Sequence, residues 1–205
     1  MINAKWIFFD IGSTLIDESE CYKLRYKEAV AGTTISSSDF EEKVIEFSKQ
    51  NRKGDHEAVK YFGIKLPPWH KEAERPYADT ESVLKQFVGK GYRLGVIANQ
   101  SPGTKKRLAG WGLLKYLDIV LASAEEGISK PDLEIFHRAL AAAKCLPENA
   151  VMVGDRLDND IAPAKQIGMK TVWVKQGLCG LASPVHEYEQ ADYEVENLSE
   201  LLALF

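Results

Sequence analysis

Short, nearly continuous apolar runs recur along this chain and are separated by amphipathic stretches and polar loops. Several of the runs lack strict alternation of apolar and polar residues, which is typical of strands covered on both faces. The runs are residues 5–10, 93–98, 118–122, 150–153 and 171–174. The pattern therefore predicts the buried strands of a parallel sheet.

Helical periodicity fills most of the intervals between these runs. In residues 80–89 the apolar side chains are Val83, Leu84 and Phe87, and Thr80 is a candidate N-cap. The other predicted helices are 104–110, 131–144 with Pro131 in its first turn, 158–167 ending before Gly168, and one from about Leu198 after a short strand near 191. Alternation of strands and helices predicts a doubly wound α/β core.

Residues 17–78 interrupt this alternation. They contain charged amphipathic stretches, no convincing buried strand, and a proline-rich loop at 66–69. We interpret them as a helical insert that lies over the sheet edge where the first strand ends. The predicted domains are thus a core of residues 1–16 and 79–205 and an insert of residues 17–78.

Composition narrows the class of protein. The 205 residues are 45% hydrophobic and 27% charged, with a formal net charge of -4. No basic stripe suggests nucleic-acid binding, and no apolar run approaches the length of a membrane span or a signal peptide. The cysteines, Cys21, Cys145 and Cys179, have neither metal-ligand spacing nor a disulfide framework. We expect a cytoplasmic protein, a monomer or homodimer, with no nucleic-acid or membrane partner.

Chemically capable side chains follow the predicted strands. Asp10 ends the first run, Asn99 follows the second, Lys130 precedes a predicted helix, and Asp155 follows the fourth run, with Asp160 five residues later. In open α/β sheets ligands bind beyond the carboxyl ends of the strands. We therefore expect these side chains to face one crevice.

The residue types in that crevice are suited to phosphoryl transfer. Magnesium prefers oxygen ligands, and Asp10 and Asp155 offer carboxylates. Lys130 offers a compact positive charge near the transferred group, and Asn99 can donate to phosphate oxygens. A carboxylate such as Asp10 can itself act as a covalent nucleophile.

These residues resemble the motifs of the haloacid dehalogenase-like (HAD) hydrolase superfamily. Residues 8–15 resemble its first motif, 96–99 occupy the place of the second, 130–131 resemble the third, and 153–155 with Asp160 resemble the fourth. The resemblance covers the chain outside the insert. It implies a Rossmann-like core with a small α-helical cap after the first strand, and a magnesium-dependent phosphatase of a small phosphorylated metabolite.

The resemblance also implies roles for individual residues. Asp10 would be the nucleophile and a magnesium ligand, the backbone carbonyl of Gly12 a second ligand, and Asp155 a third. Asp160 would support the water shell of the metal and hydrogen-bond Lys130. Lys130 would steady the nucleophile and the phosphate, and Asn99 would lie close to the phosphate.

Two positions depart from the family pattern. Phosphatases of this family usually carry a second aspartate two residues after the nucleophile, where it protonates the leaving alcohol and activates water; here that position is Gly12. Loss of acid–base help of about 10²–10⁴-fold predicts slow turnover. Ala98 stands where serine or threonine is usual, and Ser101 or backbone amides would have to compensate for the missing hydroxyl.

Other functions remain open at this point. A low-activity or inactive family member would bind a phosphometabolite or a regulatory partner. A 2-haloacid dehalogenase needs no acid at Gly12, but the intact Asp155 motif argues against it. A phosphonate hydrolase would need a Schiff-base lysine in the cap, for which the options are Lys23, Lys27, Lys49 and Lys53.

Substrate choice would belong to the cap. The candidates are Cys21, Tyr22, Arg25, Tyr26, Arg52, Lys53, His56 and Trp69, although solvation or packing within the cap is the favoured interpretation of each one.

Overall fold

A computed structural model describes residues 2–205 and contains one six-stranded sheet and one two-stranded ribbon. The strands are β1 (Trp6–Phe9), β2 (Ile16–Asp17), β3 (Arg75–Pro76), β4 (Arg93–Ala98), β5 (Ile119–Ala122), β6 (Ala150–Gly154), β7 (Lys170–Val174) and β8 (Tyr193–Val195). The large sheet has the order β5-β4-β1-β6-β7-β8, and every neighbouring pair is parallel. The predicted α/β fold with a parallel sheet is confirmed.

Helices flank this sheet and fill the segment between β2 and β3. They are α1 (Ser19–Val30), α2 (Ser37–Ser48), α3 (Gly54–Phe62), α4 (Thr80–Gly89), α5 (Thr104–Gly110), α6 (Ser123–Glu126), α7 (Leu133–Ala143) and α8 (Ala162–Gln166). Within residues 2–205, none of the helices has the length and apolar character needed to cross a membrane.

The central strand β1 connects two hydrophobic cores. Successive side chains of a strand point to opposite faces of the sheet, so Phe8 and Phe9 contribute to different cores. Phe8 packs in the cluster that contains Phe136 of α7, whereas Phe9 lies 6.5 Å from Phe87 of α4 between ring centroids. Both side chains are fully buried, and each burial contributes about 1.5–3 kcal/mol. The apolar run of β1 thus holds helices on both faces.

The insert has its own small core. Phe40 of α2 is fully buried and lies 5.3 Å from Tyr26 of α1 and 5.9 Å from Phe62 of α3, between ring centroids. The ends of the insert meet in the antiparallel β2–β3 ribbon, which the sequence did not predict. Helices α1–α3 occupy the predicted helical stretch, while the division into separate domains at residues 17–78 stays a prediction.

Several predicted boundaries were wrong. Helix α7 begins at Leu133 because the Asp132 carboxylate accepts a hydrogen bond from the Glu134 backbone N–H, so Pro131 lies outside its first turn. The Thr80 hydroxyl is not a cap, since it donates to the Leu15 carbonyl at 2.8 Å.

Two further predicted helices have a different geometry. The helix predicted over 158–167 is a π-helical turn, Leu157–Ile161, followed by α8. The final helix, Leu198–Ala203, is 3₁₀. The wide π turn matters for the site because Asp160 lies within it.

Candidate active site

The predicted strand-end residues meet because their strands are neighbours in the sheet. Phe9 of β1 is in register with Val96 of β4 on one side and with Val153 of β6 on the other. Asp10 therefore leaves the sheet between the segments that carry Asn99 and Asp155. The chain order reverses around this position, which is where open α/β sheets bind ligands.

Three carboxylates and one ammonium group form the centre of the site. Asp10, Asp155 and Asp160 each have an oxygen within 4.8 Å of the others. The Lys130 Nζ lies 2.5 Å from Asp10 Oδ1 and 2.5 Å from Asp160 Oδ1. Asp155, Asp160 and Lys130 are buried, and Asp10 is partly exposed. The lysine thus joins the two carboxylates away from solvent.

Burial dominates the electrostatics of this cluster. It raises the pKa of Asp155 well above its usual range, and the charges of Asp10 and Asp160 raise it further. Burial also raises the pKa of Asp160 to about 6, although Lys130 acts in the opposite direction. Burial by itself lowers the pKa of Lys130, but the nearby charges of Asp10 and Asp160 outweigh it and the pKa is raised. One ammonium group therefore faces three carboxylates, and a further cation would relieve their repulsion.

The donor set fits magnesium. The ion prefers carboxylate and carbonyl oxygens and waters, and Asp10 and Asp155 present carboxylate oxygens at one edge of the sheet. Across residues 2–205, Asp155 has no ion pair with lysine or arginine, and the Thr14 hydroxyl lies 3.5 Å from its Oδ1. The Asp155 carboxylate is consequently the buried group that gains most from a bound cation.

The side chains around Lys130 hold it in place. The Asn99 side-chain amide makes two hydrogen bonds with the Lys130 backbone, each 2.8 Å long. Its nitrogen donates to the Lys130 carbonyl, and its oxygen accepts from the Lys130 N–H. The second oxygen of Asp160 accepts from the Arg156 N–H at 3.0 Å. A β-carbon at Gly154 would lie 2.4 Å from that oxygen, so only glycine leaves Asp160 its place. Asn99 is therefore a support for Lys130, and its contact with a substrate phosphate stays a prediction.

Glu18 is the residue at this site that the sequence did not reveal. A β-carbon at Gly12 would lie 2.8 Å from Glu18 Oε1, and the Ser13 hydroxyl donates to Oε2 at 3.0 Å. Burial raises the pKa of Glu18 to about 7, the Ser13 hydrogen bond opposes this, and the charge of Asp10 adds to it. No spacing rule pointed to Glu18, because the contact depends on the turn at residues 13–15, between Gly12 and β2.

The second departure from the family pattern is Ala98, and compensation by Ser101 or by backbone amides stays a prediction. Ala98 is buried at the end of β4. The Ser101 hydroxyl, a suggested substitute, accepts a hydrogen bond from Lys71 Nζ at 2.7 Å.

A cavity of about 310 Å³ lies between the insert and the core. Six of the eight candidate specificity residues line it: Tyr22, Arg25, Arg52, Lys53, His56 and Trp69. Cys21 and Tyr26 are buried within the insert instead. Glu18, Arg156 and Asp158 also line the cavity, so its wall carries both signs of charge and adjoins Gly12 through Glu18.

The chain is similar to known proteins over most of its length. The family model described as haloacid dehalogenase-like hydrolase matches residues 7–174. The chain is 32% identical to a glyceraldehyde 3-phosphate phosphatase of Pyrococcus furiosus, covering 98% of this chain and 93% of the relative. It is 34% identical to the glyceraldehyde 3-phosphate phosphatase of Methanocaldococcus jannaschii, covering 97% and 95%. The crystal structure of a HAD phosphatase from Thermococcus onnurineus matches with a TM-score of 0.66 and 27% identity, over 98% of this chain and 97% of that chain.

Proposed function

We propose, since this chain belongs to the haloacid dehalogenase-like hydrolase family, that it is a magnesium-dependent phosphatase of a small phosphorylated metabolite, with Asp10 as the nucleophile. One observation carries the proposal: the Asp10 carboxylate ends the central strand, pairs with Lys130 Nζ at 2.5 Å and lies within 4.8 Å of Asp155 and Asp160. Such a cluster suits an anionic nucleophile that must approach an anionic substrate.

The protein's own residues account for the first half of the reaction. A carboxylate oxygen of Asp10 attacks phosphorus, the bond from phosphorus to the alcohol oxygen breaks, and an aspartyl-phosphate forms. Lys130 balances the negative charge that gathers between Asp10 and the phosphate, and Asn99 and Asp160 hold Lys130 in position. Water then releases phosphate and restores Asp10.

Magnesium has a defined place in this proposal. When bound, it would supply positive charge that reduces repulsion between the carboxylate and the phosphate. Asp10, the Gly12 carbonyl and Asp155 would hold it, and Asp160 would support its water shell. The buried, unpaired Asp155 carboxylate supports this assignment.

The insert is proposed to act as the cap that selects the substrate. Its residues Arg25, Lys53 and His56 line the cavity of about 310 Å³, a size that suits a small metabolite. The β2–β3 ribbon is where the insert joins the core and is the natural hinge. Glyceraldehyde 3-phosphate is the first compound to test, because two relatives at 32% and 34% identity act on it by name.

The test is a phosphate-release assay of the purified chain. Glyceraldehyde 3-phosphate, phosphoserine and other small phosphate esters are each offered with magnesium and with EDTA. We expect release that requires magnesium and disappears in Asp10→Asn. The matched control is Asp118→Asn, which removes a carboxylate paired with Arg93 just before β5, at the opposite edge of the sheet.

Other results of these assays would indicate a different function or a different nucleophile. Activity that survives Asp10→Asn refutes the nucleophile assignment. Halide release from a 2-haloacid without magnesium indicates a dehalogenase. Phosphonate cleavage that is lost in Lys53→Arg indicates a phosphonate hydrolase, since Lys53 lines the cavity. Binding without turnover of any compound indicates a regulatory or inactive member.

A further inference from the structure

The space beside Gly12 is filled by the carboxylate of another residue. A β-carbon at position 12 would lie 2.8 Å from Oε1, 3.0 Å from Cδ and 3.0 Å from Oε2 of Glu18. Separations this short are below ordinary van der Waals contact, so the Glu18 carboxylate fills the space directly beside the position of that β-carbon. A carboxylate from Glu18 therefore adjoins position 12, although position 12 itself has no side chain.

Contacts from both sides hold Glu18 there. Its backbone is the N-cap position of α1, directly after the β2–β3 ribbon, and its carbonyl accepts from the Tyr22 N–H at 3.1 Å. Ser13, which is buried, donates its hydroxyl to Oε2 at 3.0 Å. A β-carbon at Gly177 would lie 2.7 Å from that hydroxyl, so the loop after β7 packs directly on Ser13. The carboxylate is thus positioned by the folded chain and not by solvent.

The Glu18 side chain also faces the place where a leaving group would be. It lines the cavity between insert and core, as do Arg25 and Arg156. Its other neighbour, Gly12, is two residues from Asp10 in the sequence. The Glu18 carboxylate thus lies beside Gly12 and on the wall of the cavity that would hold the substrate.

We propose that Glu18 is the general acid and base of this enzyme and replaces the side chain that is absent at position 12. The proposal rests on the proposed phosphatase function and deepens it. It also replaces the expectation of slow turnover, because the acid–base group is supplied from the start of α1.

Glu18 would give up a proton in the first half of the reaction and regain one in the second. While Asp10 attacks phosphorus, the bond from phosphorus to the alcohol oxygen breaks, and that oxygen takes the proton of the Glu18 carboxyl group. Water then attacks phosphorus of the aspartyl-phosphate and gives its proton to the Glu18 carboxylate. The bond from phosphorus to Asp10 breaks, phosphate leaves, and both carboxyl groups return to their starting states.

The first test compares two substrates, one whose leaving group needs a proton and one whose leaving group does not. The comparison distinguishes formation of the aspartyl-phosphate from its hydrolysis. With an alkyl phosphate, whose alcohol must be protonated, Glu18→Gln should lower kcat by about 10²–10⁴-fold. With p-nitrophenyl phosphate, whose leaving group needs no proton, it should give a rapid burst of nitrophenol at close to the wild-type rate and then slow turnover. Glu20→Gln, on the exposed side of α1, is the control and should behave as wild type.

The second test moves the acid back to position 12. Gly12→Asp alone should gain no activity, because its side chain collides with the Glu18 carboxylate. Gly12→Asp combined with Glu18→Ala should recover at least tenfold over Glu18→Ala alone. Circular dichroism shows whether Glu18→Gln folds. If it does not fold, the double variant still tests the proposal.

The outcomes separate this proposal from the proposed function. If Glu18→Gln keeps kcat within twofold on alkyl phosphates while Asp10→Asn is inactive, Glu18 is not the acid and base, and the phosphatase assignment stands. Equal loss on both substrates with no burst also overturns the acid–base role. If the wild type releases no phosphate from any ester, the proposed function fails and this assignment fails with it.

Discussion

Lys130→Met gives a direct measure of the energy stored in the buried charge cluster. The change removes an ammonium group that lies 2.5 Å from both Asp10 and Asp160 and keeps the chain length of the side chain. Removing one partner of a buried ion pair lowers stability by about 3–5 kcal/mol, because the remaining charge has no compensation. Domains of this kind are stable by about 5–15 kcal/mol, so the expected loss is a large fraction of the total.

Urea unfolding in EDTA, followed by circular dichroism, gives the free energy of unfolding. The control is Lys115→Met, which breaks a pair of similar length with Glu81, 2.9 Å, in which the two side chains are 59% and 56% exposed. We expect about 1 kcal/mol or less for this exposed pair. The substitution is the same in both variants, so the contrast compares a buried lysine between two carboxylates with an exposed lysine paired with one.

The free energy of unfolding that Lys130→Met loses should depend on pH, and the direction follows from the pKa of Asp160. Burial raises the pKa of Asp160 to about 6 even with Lys130 present, and removing the lysine raises this pKa further. The folded variant then binds more protons than the folded wild type as pH falls, so its penalty shrinks. The loss should be larger at pH 8 than at pH 5. Equal losses for Lys130→Met and Lys115→Met, or a penalty that grows toward pH 5, would refute the reasoning.

Three other measurements probe the site and the packing. Gly154→Ala should lower stability by about 1–3 kcal/mol and reduce kcat because its methyl group displaces Asp160, whereas Gly89→Ala, with no atom within 4 Å, should raise stability by about 0.5–1 kcal/mol. Phe40→Ala should lower the free energy of urea unfolding by about 3–5 kcal/mol, and a change below 1 kcal/mol would contradict the insert core described here. Magnesium should raise Tm, by the equivalent of about 2.7 kcal/mol at 100 times its Kd, and Asp155→Asn should abolish the shift in scanning calorimetry.

Much of the core could be predicted from the local pattern of apolar and polar residues. The apolar runs at β1, β4 and β6 are buried on both faces, and such strands have a local signature. Once the strands are parallel neighbours, the residues after them share one edge, so the meeting of Asp10 with Asp155 followed from strand placement alone. The family resemblance added their roles, which remain proposals until the phosphate-release assay is done.

Other predictions failed where local signals competed. Pro131 suits the first turn of a helix, yet Asp132 provides the cap and moves the start of α7 to Leu133. Residues 158–167 read as one regular helix, yet Asp160 lies in a π turn, where its carboxylate binds Lys130 and the Arg156 N–H. A neighbouring cap residue set the boundary in the first case, whereas in the second Asp160 also contacts Lys130, which is distant along the chain.

The sequence by itself determined the alternation of strands and helices, the strand ends that carry Asp10 and Asp155, and the absence of an acid at Gly12. Only the tertiary structure decided what stands in place of that acid. Glu18 reaches Gly12 because the chain turns at residues 13–15, before β2, and the loop after β7 packs on Ser13, which binds Glu18. Periodicity and spacing report a residue's own neighbourhood along the chain, whereas this contact depends on two segments that folding alone brings together.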